Sequence, residues 1–187
     1  MAVQVDQKHA SAQGDIVGHD KTENHFHLPL SRPGIVEQLL EKLQAEISKN
    51  EKVRYTVEAL AHFQTRHSHD GVNGLEAKLK AGGREHEYLD ALEKKELFAK
   101  LLERWSLYAS AQEIFAYLLA KVEYEFNQFV YPQIPQLDKV GVNQLVKQHV
   151  VVPTIEECGT TVFTLNHGTA MGMLYWLAEQ CFVRWHQ

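Results

Sequence analysis

Apolar residues at Ile35, Val36, Leu39, Leu40, Leu43 and Ile47 recur at intervals of three and four. That spacing predicts a helix with one buried stripe, beginning at Ser31-Arg32-Pro33 and ending near Asn50. The pattern then predicts a second helix from Val53 to about Arg66 and a short one, LEAKLKA, stopped by Gly82-Gly83. From Arg84 to Val130 lies the longest helical stretch, either two helices meeting near Ser106 or one bent helix. Leu89, Leu92, Leu97, Phe98, Leu101, Leu102 and Trp105 form its first stripe; Ile114, Phe115, Leu118, Leu119, Val122, Phe126 and Phe129 form its second. The prolines of YPQIP end it.

Beyond Pro135 a short helix is expected around Val142 to Gln148, then a helical turn opened by Pro153 and stopped by Gly159. TVFTL reads as a strand, TAMGMLYWLAEQ as a helix and CFVRWH as a final strand. Met171, Met173, Tyr175 and Trp176 are explained by that helix packing on a core. In the final strand Cys181, Val183 and Trp185 alternate with Phe182, Arg184 and His186, so both faces carry large groups. Residues 1–30 form a separate leader in which VQVD, DIVG and HFHL are β-favouring pieces among turn formers. The fold class is therefore mostly α, a helical domain over 31–187 with short β segments at the leader and the C-terminal end. Both β patches are incomplete by themselves, which points to assembly with other chains.

Composition narrows the chemistry. The 187 residues are 44% hydrophobic, enough for one core, and 24 acidic against 19 basic residues leave a formal net charge of -5. A chain of that balance is not built around a phosphate backbone. Lys78, Lys80 and Arg84 are the best basic cluster for direct DNA contact. The first residues lack the apolar core of a secretory signal, and AMGMLYWLA is far short of the about 20 residues that cross a bilayer. The two cysteines, Cys158 and Cys181, have no ligand spacing and read as buried thiols of a cytoplasmic protein.

GDIVGHDKT looks like a phosphate loop, but three residues rather than four separate Gly14 from Gly18, and His19-Asp20 interrupt the approach to Lys21-Thr22. Asp15 and Asp20 would repel a phosphate, so no nucleotide site is expected. His25-x-His27 and His67-x-His69-Asp70 are the metal candidates, and together they define an alternative: a small metal-dependent hydrolase. Neither pair has a supporting carboxylate at helical spacing, so the sequence predicts no metal and no cofactor. Cys158, with His149 or His167 as base, is the candidate thiol nucleophile, against the commoner reading of a structural cysteine. No serine sits in a nucleophile elbow. The expectation is a non-enzymatic protein.

At its two ends the chain resembles a known family. The tail GMLYWLAEQCFVRW, residues 172–185, is similar to the Gly-Met-hydrophobic-Tyr-aromatic-Leu … Cys-x-hydrophobic-Arg/Lys-Trp signature closing the C-terminal domains of ABC-three-component systems. The leader AQGDIVGHDK, residues 12–21, resembles the Gly-Asp-Ile-Val-Gly-x-Asp-Lys segment that often precedes such modules. The tail departs from the pattern at Ala178-Glu179-Gln180 and Phe182, where Thr-Gly-Asn and His are more usual. These are bacterial conflict systems, the Lamassu group among them. They combine an ABC ATPase related to SMC and Rad50 proteins with a small middle component and an effector, often a nuclease. The resemblance implies an assembly or regulatory subunit of an anti-phage or anti-plasmid complex, touching DNA only within that complex and no membrane. Gly14, Asp15, Ile16, Val17, Gly18 and Asp20 would meet a partner, with Trp176, Arg184 and Trp185 at the other end.

Overall fold

The stripe over Ile35–Lys49 forms α1 and buries Val36, Leu39, Leu40 and Leu43. Gly34 is its N-cap, so the helix opens later than the Ser31–Pro33 start, and Ile35 and Ile47 at its two ends stay exposed. The computed structural model describes residues 34–66, 71–159 and 162–186, all within one compact unit. The leader with its VQVD, DIVG and HFHL pieces lies outside the described residues.

α1 ends in a Schellman turn. Asn50 takes φ 54°, Glu51 N–H donates to Glu46 O at 2.8 Å and Asn50 N–H to Ile47 O at 3.1 Å. Asn tolerates this left-handed conformation and Gly adopts it freely. Asn50→Gly is expected to raise stability by about 0.5–1 kcal/mol in urea unfolding, since the side chain is exposed.

The second helix, α2, spans only Glu58–Gln64. Its expected first turn is held extended from afar: Val57 N–H donates to Gln112 Oε1 at 2.7 Å, while Gln112 Nε2 donates to Tyr55 O at 2.9 Å and Ser106 O at 2.6 Å. Gln112 is itself buried, so three backbone groups are satisfied by one amide. α3 is Gly74–Ala81, α4 is Tyr88–Trp105 and α5 is Ala109–Glu125. The long stretch is thus two helices parting near Ser106. α5 is the central rod, with Ile114, Phe115, Leu118, Leu119 and Val122 fully buried. α1 and α2 pack on α5, as does α8 (His167–Glu179), whose other side lies along α4.

After α5 the helix widens into a π turn over Phe126–Val130 and tightens into a 3₁₀ turn over Tyr131–Gln133. α6 (Lys139–Leu145) likewise runs through a π turn, Val146–Val151, into α7 (Val152–Cys158). Each π turn stands just before a proline, Pro132 or Pro153. A proline inside a helix removes a donor and collides with the carbonyl four residues back; a widened preceding turn relieves both conflicts. Pro153 thus stands in the first turn of α7, as expected, and the π turn joins that helix to α6 without a break. The two π turns pack on each other, and the rings of Phe129 and His149 stack there at 4.7 Å with 8° between planes.

The β segments expected at the C-terminal end are absent among the described residues: both 162–165 and 181–186 are irregular. The alternation in the tail is nevertheless real. Cys181, Val183 and Trp185 are buried, while Phe182, Arg184 and His186 are half-buried. Among the described residues no neighbouring strand runs beside the tail. In its place Lys78, 1% exposed, donates from Nζ to Val183 O at 2.8 Å. The turn into the tail is again of Schellman type: Cys181 has φ 69°, and Phe182 N–H donates to Leu177 O at 2.8 Å.

Candidate functional site

Two regions hold polar groups in unusual positions, the clamp on the tail and a groove beside it. In the clamp, Arg84 is 4% exposed. Its Nη1 donates to both carboxylate oxygens of Glu87 at 3.0 Å and to Asn143 Oδ1 at 2.9 Å. Its guanidinium lies 5.0 Å over the ring of Trp185. Trp185, 2% exposed, also meets Phe126 edge-on at 5.1 Å, and the tail backbone presses so close that a Cβ on Gly82 would stand 2.4 Å from Trp185 O. Glu179, at the end of α8, accepts from Leu75 N–H at 3.0 Å and pairs with Arg66, which ties α8 to the start of α3.

The sequence-derived contact residues fall into this framework with different outcomes. Trp185 is a core side chain. Trp176 is half-buried; its ring meets Phe98 at 5.8 Å and its Nε1 donates to Phe63 O at 3.3 Å. Neither indole projects as an anchor for another chain. Arg184 lines a shallow depression with Asn127, Tyr131 and Phe182. Gly14, Asp15, Ile16, Val17, Gly18 and Asp20 lie outside the described residues, as do His25, His27, His67, His69 and Asp70.

The basic cluster does not form a surface. Lys78 and Arg84 are both buried in the clamp, which leaves only Lys80 exposed. Cys158 is 2% exposed, and burial pushes its thiol up to about 11, so it is protonated at neutral pH and a poor nucleophile. Among the described residues no group of three or more His, Cys, Asp or Glu is placed to hold a metal. No helix among them is long and apolar enough to cross a membrane.

The groove arises because α4 and α8 run antiparallel in close contact. A Cβ on Gly172 would lie 2.2 Å from Lys94 O, and one on Gly168 would lie 3.6 Å from Leu97 Cδ1. At the other end Tyr175 sits in the field of Glu87 and Asp90. Stripes from both helices then face a third from the α6–π turn segment, enclosing about 440 Å³. Met171, Val146 and Val151 give it an apolar lining; Glu87, Asp90, Lys94, Asn143, Lys147 and His167 supply the polar groups. The volume is that of a small-ligand site.

Tyr175 is the unusual member. The residue is 3% exposed and contributes to the lining of the groove. Burial, reinforced by Glu87 and Asp90, pushes its ionisation far above the ordinary phenol range, so it stays a neutral hydroxyl able to donate and accept. Asp90 is held by Lys94 across one helical turn. Sequence reasoning assigned Tyr175 and Met171 to core packing. The periodicity was legible, but the third helix that leaves this stripe partly uncovered was not.

Residues 74–185 match the sequence model of C-terminal domain 9 of the ABC-three component (ABC-3C) systems. The match covers more than half of the 187 residues and runs from α3 to Trp185. The chain belongs to this family and is a component of an ABC-three component defence system. No curated protein and no solved structure matches it.

Proposed function

We propose that the chain is a non-enzymatic assembly or regulatory subunit of a bacterial anti-phage or anti-plasmid complex of the Lamassu kind. It joins an SMC/Rad50-like ABC ATPase to a nuclease-type effector and touches DNA only within that assembly. The family match over residues 74–185 is the observation that carries this reading. The body supports it as a rigid mount: α5 is buried along its length, and two helix starts are capped by carboxylates from other helices. Glu46 of α1 accepts from Ser110 Oγ at 2.7 Å at the start of α5, and Glu179 does the same for α3 through Leu75 N–H. Exposed apolar side chains such as Leu89, Tyr124 and Val140 are available on its surface.

With both tryptophans engaged inside the fold, the leader residues Gly14, Asp15, Ile16, Val17, Gly18 and Asp20 are the first candidates for a partner contact. Co-expression with the products of the neighbouring genes tests the reading. A stoichiometric complex containing an ABC ATPase is the expected result, and Ile16→Asp together with Val17→Asp should weaken it by tenfold or more, roughly the loss of two buried aliphatic anchors. A chain that elutes alone in the presence of both co-expressed subunits removes the proposal.

A further inference from the structure

One side of α4 is turned to solvent along its whole length. The buried residues of the helix are Ala91, Phe98 and Leu102, and Phe98 meets Trp176 of α8 and Phe115 of α5. A helix turns by about 100° per residue, so the opposite side carries Leu89, Glu93, Glu96, Leu97, Lys100 and Arg104 within an arc of roughly 100°. Leu107, two residues past the helix end, continues the same arc. All of these side chains are exposed, Leu89 by 77% and Leu97 and Leu107 by 43% each. Three leucines on one arc make an apolar face that is covered by water.

The charges between those leucines are ordered, acidic in the first half of the stripe and basic in the second. Helix side chains meet at spacings of three and four. At those spacings Glu93 finds Leu89, Asp90, Glu96 and Leu97, and Arg104 finds Lys100, Leu101, Leu107 and Tyr108. Neither has an opposite charge there. The helix dipole favours this order only in the first and last turns, and Glu93, Glu96 and Lys100 lie inside them. The paired cations of α4 are others, Lys94 with Asp90 and Lys95 with Glu179. Counted from the level of Phe98, the order is self-complementary. Leu89 and Leu107 stand nine residues to either side, Glu96 and Lys100 two, and Glu93 and Arg104 five and six. A copy turned end over end about that level sets leucine against leucine at both ends and carboxylate against cation between them, each contact made twice. Leu97, beside the axis, meets its own equivalent. Glu103 falls just outside the arc, on the side away from Glu93.

We propose that two copies of this chain pair through α4, antiparallel and about a two-fold axis at the level of Phe98. Parallel pairing would set Glu93 against Glu93 and Lys100 against Lys100, so the charge order selects the antiparallel arrangement. An interface of this kind uses the same patch on both copies and closes at two. The helix has 18 residues and is about 27 Å long. One such helix pair buries less than the roughly 1,200–2,000 Å² of a stable interface, so pairing is weak, with a Kd of roughly 10–500 μM. It becomes complete when a larger assembly holds two copies close together and raises their effective concentration to the millimolar range. The inference stands whichever partners the subunit binds.

Sedimentation equilibrium of the purified full chain, from about 10 μM to about 1 mM at low salt, tests it. A monomer–dimer equilibrium is expected, weakened several-fold when salt rises from about 0.05 to about 0.5 M. Two double variants change only exposed side chains and leave the fold alone: Glu93→Lys with Glu96→Lys, and Lys100→Glu with Arg104→Glu. Each turns four favourable charge contacts into repulsions and should weaken self-association at least about tenfold. Mixed in equal amounts, the two variants should form a one-to-one dimer, because every cation of one stripe then faces a carboxylate of the other. Should either double variant fail to fold, Leu97→Lys, which brings two like charges together at the axis, is measured in its place and should abolish the dimer. A chain that stays monomeric at about 1 mM overturns the proposal. So does a dimer indifferent to the reversals or to Leu97→Lys, and so do two double variants that remain apart when mixed.

Discussion

Gly172→Ala lowers stability by about 3 kcal/mol, the expected cost of overpacking a rigid contact. The new methyl would have to occupy a point 2.2 Å from Lys94 O and 2.9 Å from Phe98 Cβ, and the nearer of these is helix backbone that cannot rotate away. In a chain of this length the melting midpoint should fall by roughly 6–12 °C. The sign is what makes the experiment decisive. At an ordinary helix interior the same substitution gains about 1 kcal/mol, because glycine is a poor helix former. A stabilised Gly172→Ala protein would mean that α4 and α8 are not in contact at this point, and the groove they frame would go with it.

Arg84→Ala has the other large expected effect, a loss of about 3–5 kcal/mol in urea unfolding. The guanidinium serves Glu87, Asn143 and the face of Trp185 at once, and its removal leaves the Glu87 carboxylate without its buried partner. Arg84→Lys should still cost about 2 kcal/mol, since an ammonium cannot span the fork of acceptors and stack as well. Amide exchange locates the damage: the Cys181 and Phe182 amides, bonded to Ala178 O and Leu177 O, should lose protection along with the tail. An effect below about 1 kcal/mol would show that the tail is held by its apolar residues alone.

Comparison of sequence and structure separates what is local from what is not. The stripe of α1 and the glycines ending α3 and α7 depend on neighbours a few residues apart, and both were legible; near Ser106 the pattern left two helices or one bent helix open, and the structure has two. The start of α2 was not legible, because Gln112, fifty-five residues away, takes the Val57 amide. In the tail the alternation was read as a strand with large groups on both faces and Trp185 as a partner contact, whereas the structure buries Cys181, Val183 and Trp185 in the fold itself. The alternation could not reveal that, among the described residues, Val183 O is met by the Lys78 side chain and not by a strand. The same limit hid the groove. Glu87, Asp90, Asn143, Lys147 and His167 come from three segments, and no spacing along the chain announces that they converge. The lysine and arginine that looked like a nucleic-acid contact are the ones the fold needs to hold its own end in place.

The widened turn ahead of Pro153 fixes more than a local conflict. Each residue added to or taken from a helix rotates its two flanking halves by about 100° relative to one another about the axis. Deleting one residue between Val146 and Val151 would therefore swing Asn143 and Lys147 out of the groove wall and lift Val142 from the interior, while α7 stayed where it is. The count of residues in that turn is a constraint as strict as their identity, and shortening it by one would leave a folded helix aimed at the wrong neighbours.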